Sequence, residues 1–213
     1  EPGDVVLVWG ASGGLGSLAV QLVANAGGRA VAVVSSEEKG EYAKGLGAVG
    51  SVNRKAFDHW GVPPAWDSPD WKEWFDGAKA FGKAIWDAVG EKASPRIVFE
   101  HPGQDTIPTS NFVCDRGGMI VICAGTTGYD TMIDVRYLWY LQKRYQGSHL
   151  FNDDQAAAFN HLVREERIRT TLGHAYGYDE AGLAHQLMAE GKLPEGNVAV
   201  VINAPRPGLV GLG

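Results

Sequence analysis

At 213 residues, 45% of them hydrophobic and 21% charged, the chain has the composition of an ordinary folded protein and is long enough to bury a core. A net charge of −6 excludes a broad basic face for nucleic acid, and no apolar run approaches the ~18 residues of a membrane span. The two cysteines, Cys114 and Cys123, cannot form a disulfide framework, which points to a reducing cytoplasm.

Glu1-Pro2-Gly3-Asp4 has no initiator Met and runs straight into an apolar stretch, which predicts a piece cut from a longer protein. Val5–Trp9 is a nearly unbroken valine-rich run, the pattern of a strand covered on both faces. A glycine turn follows, then Leu15, Leu18, Ala19, Leu22 and Val23 at helical spacing. Ala30–Val34 predicts a second strand, Glu37–Leu46 a helix and Val49–Val52 a third strand. Strand and helix alternating at this spacing predict parallel βαβ units with right-handed crossovers. Residues 55–73 interrupt the rhythm with Trp60, Trp66 and Trp71 among Pro63, Pro64 and Pro69. So many tryptophans argue for order, as a packed loop or as a substrate or subunit contact.

Regularity then resumes. A helix is predicted over 71–89, a fourth strand over 96–99, a fifth over 119–123, a helix over 136–144 and a sixth strand over 145–149. A helix over 155–164 follows, and the tail reads as a helix over 179–189, a turn over 192–197 and a strand over 198–202. The fold class is therefore α/β, a doubly wound parallel Rossmann sheet of six strands with a C-terminal helix and strand appended. Residues 1–170 form the predicted cofactor-binding domain, with 171–213 leading away from it.

Gly10-Ala11-Ser12-Gly13-Gly14-Leu15-Gly16 lies between the first strand and the first helix. Glycines there let the backbone turn sharply and approach a pyrophosphate, while the helix N-terminus offers free N–H groups. The alternative is a turn that merely lets helix and strand pack. Gly10, Ser12, Gly13, Gly14, Leu15 and Gly16 are thus candidate cofactor contacts. The second strand ends in Ser35-Ser36 in place of the carboxylate that favours NAD, with Lys39 in the next helix and Arg54 after the third strand. Hydroxyls and cations suit a 2′-phosphate, so the cofactor expected is NADPH; otherwise Lys39 is a solvated helix charge.

G-A-S-G-G-L-G followed by V-V-S-S-x-x-K resembles the quinone oxidoreductase-type medium-chain reductases. Phe99-Glu100-His101-Pro102-Gly103, Arg136-Tyr137-Leu138-Trp139, Lys143-Arg144 and Gly147-Ser148-His149 narrow the resemblance to the zinc-independent crotonyl-CoA carboxylase/reductase family. It extends over nearly the whole chain, with departures at Val135 and in the Gly125-Thr126-Thr127 loop. The resemblance implies an NADPH-dependent oxidoreductase that reductively carboxylates an enoyl-CoA with CO2 to an alkylmalonyl-CoA. It also implies a GroES-like catalytic domain outside this chain, toward which 171–213 returns.

By the same resemblance His101 helps line the CO2 pocket, donating directly or through water to the developing carboxylate, and Ala124 and Gly125 contact the nicotinamide through their backbone. Tyr145, Gln146, Gly147, Ser148 and His149 become the edge through which two such domains pair in a dimer or tetramer. The residues alone allow His101 to be structural. Tyr129 and Arg136 could serve cofactor, acyl-CoA or packing. Glu100 and His101 should point to opposite faces by strand alternation. The six histidines show no ligand-spaced cluster, so no metal is expected. A plain enoyl-thioester or quinone reductase, or a cofactor-binding module without turnover, are the competing readings.

Overall fold

The computed structural model describes residues 1–202; residues 203–213, the end of the predicted returning segment, lie outside the described residues. Six parallel strands form one sheet: β1 (Val5–Trp9), β2 (Arg29–Val34), β3 (Gly50–Asn53), β4 (Ile97–Glu100), β5 (Met119–Ile122) and β6 (Arg144–Gly147). Their spatial order is β3-β2-β1-β4-β5-β6. The chain builds outward from β1 in one direction, then returns to the other side of β1 to place β4. Between β1 and β4 the order reverses, and loops from their carboxyl ends diverge to leave a crevice.

Strand alternation divides the core into two layers. Val5, Leu7 and Trp9 of β1 pack with Val31, Val33 and Val98 against Phe81 and Ile85. Val6 and Val8 pack with Ala30, Ala32 and Val34 on the opposite face, against Val20 and Ala43. The first layer is covered by α3 (Trp71–Val89) and α4 (Ile107–Val113), the second by α1 (Gly14–Asn25) and α2 (Glu37–Gly45). In α3 the buried residues Trp74, Ala78, Phe81 and Ile85 recur every three or four positions, one apolar stripe of an amphipathic helix. The sheet is therefore doubly wound, as the sequence pattern predicts.

The tryptophan-bearing insertion is a packed loop. After a 3-10 turn at Arg54–Ala56, Trp60 sets its ring edge-on to Trp9 and Phe81, at centroid distances of 5.5 and 5.3 Å. Trp66 stays 69% exposed.

Several boundaries differ from those predicted. The helix expected over 136–144 is only α5 (Val135–Trp139). Gln142 adopts a left-handed φ of 54°, which ends any helix, and Arg144 already belongs to β6. β6 stops at Gly147, so Ser148 and His149 lie past the strand, although Ser148 still donates its N–H to the Ile122 carbonyl at 2.8 Å. After α6 (Asp153–Arg164) comes an unpredicted strand, β7 (Leu172–Gly177), paired in parallel with β8 (Asn197–Val201). Between them lie a 3-10 turn at Tyr178–Glu180 and α7 (Ala181–Ala189), where one helix is expected from Asp179. No helix among the described residues is long and apolar enough to cross a membrane.

Candidate functional site

The reversal point of the sheet carries a cleft of about 350 Å³. Gly10, Ser12 and Gly13 from the β1 turn, Ser35 and Lys39 beyond β2, Arg54 beyond β3 and His101 beyond β4 all line it. With Thr126 and Thr127 beyond β5, residues from five strand ends thus converge on one cleft.

The turn is built for close approach. Gly10 takes φ 58°, and a Cβ there would overlap the imidazole of His101. Gly16 lies against the Gly10 carbonyl, where a side chain would open the turn. Gly13 is the N-cap of α1, with no side chain satisfying the first-turn N–H groups of Gly14, Leu15 and Gly16. These donors and the positive end of the helix dipole favour an anion such as a pyrophosphate. Gly14 and Leu15 also line a second groove, beside Lys39 and Asn197. The glycine cradle and the lack of any Asp or Glu side chain lining the ends of β2 and β3 fit a dinucleotide carrying an extra phosphate. Ser36 acts on the helix instead. Its hydroxyl accepts from the Lys39 N–H at 3.3 Å and caps α2.

At the end of β4 the two ionisable neighbours part, as alternation requires. Glu100 turns inward and is fully buried. Its carboxyl accepts from Thr106 Oγ1 at 2.6 Å, from Ser110 Oγ at 2.5 Å and from the Gly103 N–H at 3.2 Å. Ser110 Oγ in turn accepts from Trp9 Nε1 at 2.9 Å, so its own hydrogen is free to face Glu100. Burial pushes the Glu100 carboxyl up to about 7, the three donors offsetting only part of that cost.

His101 turns toward the cleft with Nε2 3.1 Å from the Trp9 carbonyl. A carbonyl only accepts, so Nε2 carries the proton and Nδ1 is the acceptor in the neutral ring. Burial holds its pKa below the ordinary value, outweighing the Trp9 carbonyl, which favours the charged ring. A neutral ring in this tautomer cannot donate directly to a carboxylate from Nδ1. It can act through a water that donates one hydrogen to Nδ1 and the other to the anion.

Beyond β5, Thr126 and Thr127 line the cleft rather than Ala124 and Gly125. Gly125 supports the loop from behind, where a side chain would strike Tyr129. Tyr129 is 92% exposed and away from the cleft lining. Arg136 forms a forked pair with Asp134, so its charge is already matched. Trp60, Asp105 and Thr106 also line the cleft, and the sequence does not mark them as site residues. The tryptophan count marks the insertion, but no spacing rule ties Trp60 to β1. Among the described residues, no three His, Cys, Asp or Glu side chains gather as a metal ion would need.

Comparison with known proteins gives consistent matches. The zinc-binding dehydrogenase family model matches residues 14–165. The crotonyl-CoA carboxylase/reductase of Cereibacter sphaeroides is 49% identical over 98% of this chain and 49% of its own length. The crotonyl-CoA reductase of Streptomyces avermitilis is 40% identical over 98% of the chain and 45% of its own length. Among solved structures, the crotonyl-CoA carboxylase/reductase AntE in complex with NADP superimposes with a TM-score of 0.94 at 51% identity, over 97% of this chain and 51% of that one. The 2-octenoyl-CoA carboxylase reductase CinF, in complex with NADP and 2-octenoyl-CoA, gives 0.86 at 36% identity, over 98% of this chain and 45% of that one. The chain spans about half the length of the curated relatives it matches.

Proposed function

The chain belongs to the zinc-binding dehydrogenase family, where it stands with the crotonyl-CoA carboxylase/reductases, and we propose that it is the NADPH-binding part of an enzyme that reductively carboxylates an enoyl-CoA with CO2 to an alkylmalonyl-CoA. The observation that carries this reading is the convergence of the glycine turn, Lys39, Arg54 and His101 on one cleft at the reversal point of the sheet.

When bound, the dinucleotide supplies the hydride. The chain's own residues bind and orient. The first-turn N–H groups of Gly14, Leu15 and Gly16 take the pyrophosphate, with Gly10, Ser12 and Gly13 allowing its approach. Ser35, Lys39 and Arg54 take the 2′-phosphate, and Ser36 holds Lys39 at the head of α2. Ala124 and Gly125 shape the loop that presents Thr126 and Thr127 to the cleft. His101 is pinned by Trp9 and keeps Nδ1 available to a water beside the carboxylate that forms on the α-carbon.

In the same reading, residues 1–170 are the cofactor-binding domain and 171–213 return toward a catalytic part contributed by the longer protein. The outer edge of β6 is unpaired among the described residues, and Leu150 and Phe151 beside it are 77% and 71% exposed. Tyr145, Gln146, Gly147, Ser148 and His149 are therefore proposed as a pairing edge between two copies. The coverage of only half of each relative favours a second reading for the isolated chain, NADPH binding without turnover.

The test is product mass from the full-length parent protein given NADPH and crotonyl-CoA, with and without bicarbonate. A carboxylated product that depends on bicarbonate is the expected result; butyryl-CoA in both reactions would reduce the reading to a plain enoyl reductase. With His101→Ala the uncarboxylated share should rise while NADPH oxidation continues. An unchanged product ratio would leave His101 a structural residue.

A further inference from the structure

Helix α1 carries only three polar side chains, Ser17, Gln21 and Asn25, and their four-residue spacing places them in one stripe. All three engage the same segment, residues 167–171. Asn25 Nδ2 donates to the Arg167 carbonyl at 2.7 Å, and its Oδ1 accepts from Arg167 Nε at 3.0 Å. Gln21 Oε1 accepts from the Arg169 N–H at 2.7 Å, and its Nε2 donates to the Arg169 carbonyl at 3.2 Å. Ser17 Oγ meets Thr171 Oγ1 at 2.8 Å.

Alternate residues of the segment, Arg167, Arg169 and Thr171, meet successive turns of the helix. The two run antiparallel. Ser17 and Gln21 are buried, so losing either partner would strand a polar group away from water.

The connection does not end at Thr171. Its carbonyl accepts the Asn197 N–H at 2.6 Å, and the Gly196 N–H donates to the Ser12 carbonyl at 2.8 Å. Gly196 takes φ 81°, and any side chain there would overlap the Thr171 carbonyl. Donor directions agree along the path. Ser17 Oγ lies 3.0 Å from the Gly14 carbonyl and can donate to it, which leaves the Thr171 hydroxyl to donate to Ser17. Thr171 accepts in turn from Asn197 Nδ2 at 3.4 Å. The hydrogen bonds therefore close a ring, from α1 to 167–171, on to Gly196-Asn197, and back to Ser12–Gly14 in the turn that opens α1.

We propose that this ring sets the shape of the glycine turn, and that Gln21 is a positioning residue for dinucleotide binding although it lies two helical turns from the first glycines. The inference rests on the NADPH reading for its functional consequence. Gln21 fastens both backbone polar groups of Arg169; Thr171 and Gly196 transmit that placement to Ser12.

Two readouts on the full-length parent protein test it, amide hydrogen exchange and NADPH titration by fluorescence. Gln21→Leu should speed exchange at Arg169 and also at Gly196, and weaken NADPH about fivefold to tenfold. Gln21→Glu keeps the acceptor for the Arg169 N–H but loses the donor to the Arg169 carbonyl, and should fall between wild type and Gln21→Leu in both. Gly196→Ala breaks the ring at its other end, and should weaken NADPH while leaving exchange at Arg169 slow. Asn25→Ala lies farthest from the turn and should leave NADPH affinity within about twofold. Faster exchange at Arg169 with Gly196 and NADPH affinity at wild-type values would overturn the proposal. Failure of the wild-type protein to bind NADPH would instead overturn the dinucleotide reading, and exchange at Gly196 would still decide the coupling.

Discussion

The two halves of the sheet are held by different chemistry. On the side of β1, β2 and β3 the buried strand residues are almost all Val, Ala, Leu or Trp. On the side of β4, β5 and β6 the interior includes Glu100, Thr106, Thr109, Ser110, Asn111 and Lys143. Lys143 Nζ donates to the carbonyls of Asn111 and Phe112, at 2.5 and 3.3 Å, and so closes the C-terminal end of α4. Burial lowers its pKa to about 8. The strands of the first half form an apolar platform; at its edge the imidazole of His59 packs beside Phe81, and burial holds its pKa down at about 4. The second half encloses a carboxyl and an ammonium that both resist charging, beneath the strand end that carries His101.

The contrast can be broken hardest on the apolar side. Phe81 is fully buried and stacked on Trp9 with centroids 5.5 Å apart. Phe81→Ala should cost about 3–5 kcal/mol in urea denaturation at pH 8, where His59 beside it is neutral both folded and unfolded. A loss below about 2 kcal/mol would mean that Phe81 does not anchor the apolar side.

On the polar side the effect should be smaller and tied to pH. The folded Glu100 carboxyl sits at about 7 against an ordinary 4.5, so between these values the folded state holds the extra proton and stability falls as pH rises. Glu100→Gln keeps the acceptor for Gly103 and Thr106 and should remove that slope, about 3 kcal/mol across the window. Lys143 works in the opposite sense. Its folded value of about 8 lies below the ordinary 10.5, so the unfolded state binds the extra proton and stability should rise between these values. Lys143→Met should abolish that rise, about 2 kcal/mol allowing for solvent screening. With both groups present, their joint contribution is least favourable between pH 7 and 8. A stability maximum there, with no change in either variant, would refute the contrast.

The same contrast explains what the sequence makes legible. Val5–Trp9 and Arg29–Val34 are covered on both faces, so nearly every residue is apolar and the strand declares itself. β6, Arg-Tyr-Gln-Gly, has one open edge and mostly exposed side chains, so its pattern fixes neither its own ends nor the end of the helix before it. β7, Leu-Gly-His-Ala-Tyr-Gly, has neither an apolar run nor clean alternation, and it exists because β8 pairs with it. At the site, the glycine turn and Lys39 are legible because they follow the apolar strands β1 and β2, whereas His101 is legible only through the resemblance carried by Phe99–Gly103. The tautomer of His101 is not, since it depends on the Trp9 carbonyl, 92 residues away in sequence. The α1 stripe is visible as a spacing, but its partner segment 167–171 has no pattern that announces it.

The smallest effect separates the halves by function. Lys39 belongs to the apolar half and is only partly buried, so its charge acts through solvent. Lys39→Ala should weaken NADPH by about 1 kcal/mol, roughly fivefold, with NADH unchanged, because only the former carries the 2′-phosphate. The loss should shrink with added salt, as expected for a screened contact. The carboxylated share of product should not move, since Lys39 lies past β2 and His101 past β4. Equal weakening of NADPH and NADH would mean that Lys39 holds the head of α2 rather than the phosphate, and selectivity would then rest on Ser35 and Arg54. That set of outcomes would place selection of the cofactor at the end of the apolar half and direction of the carbon chemistry at the end of the polar one.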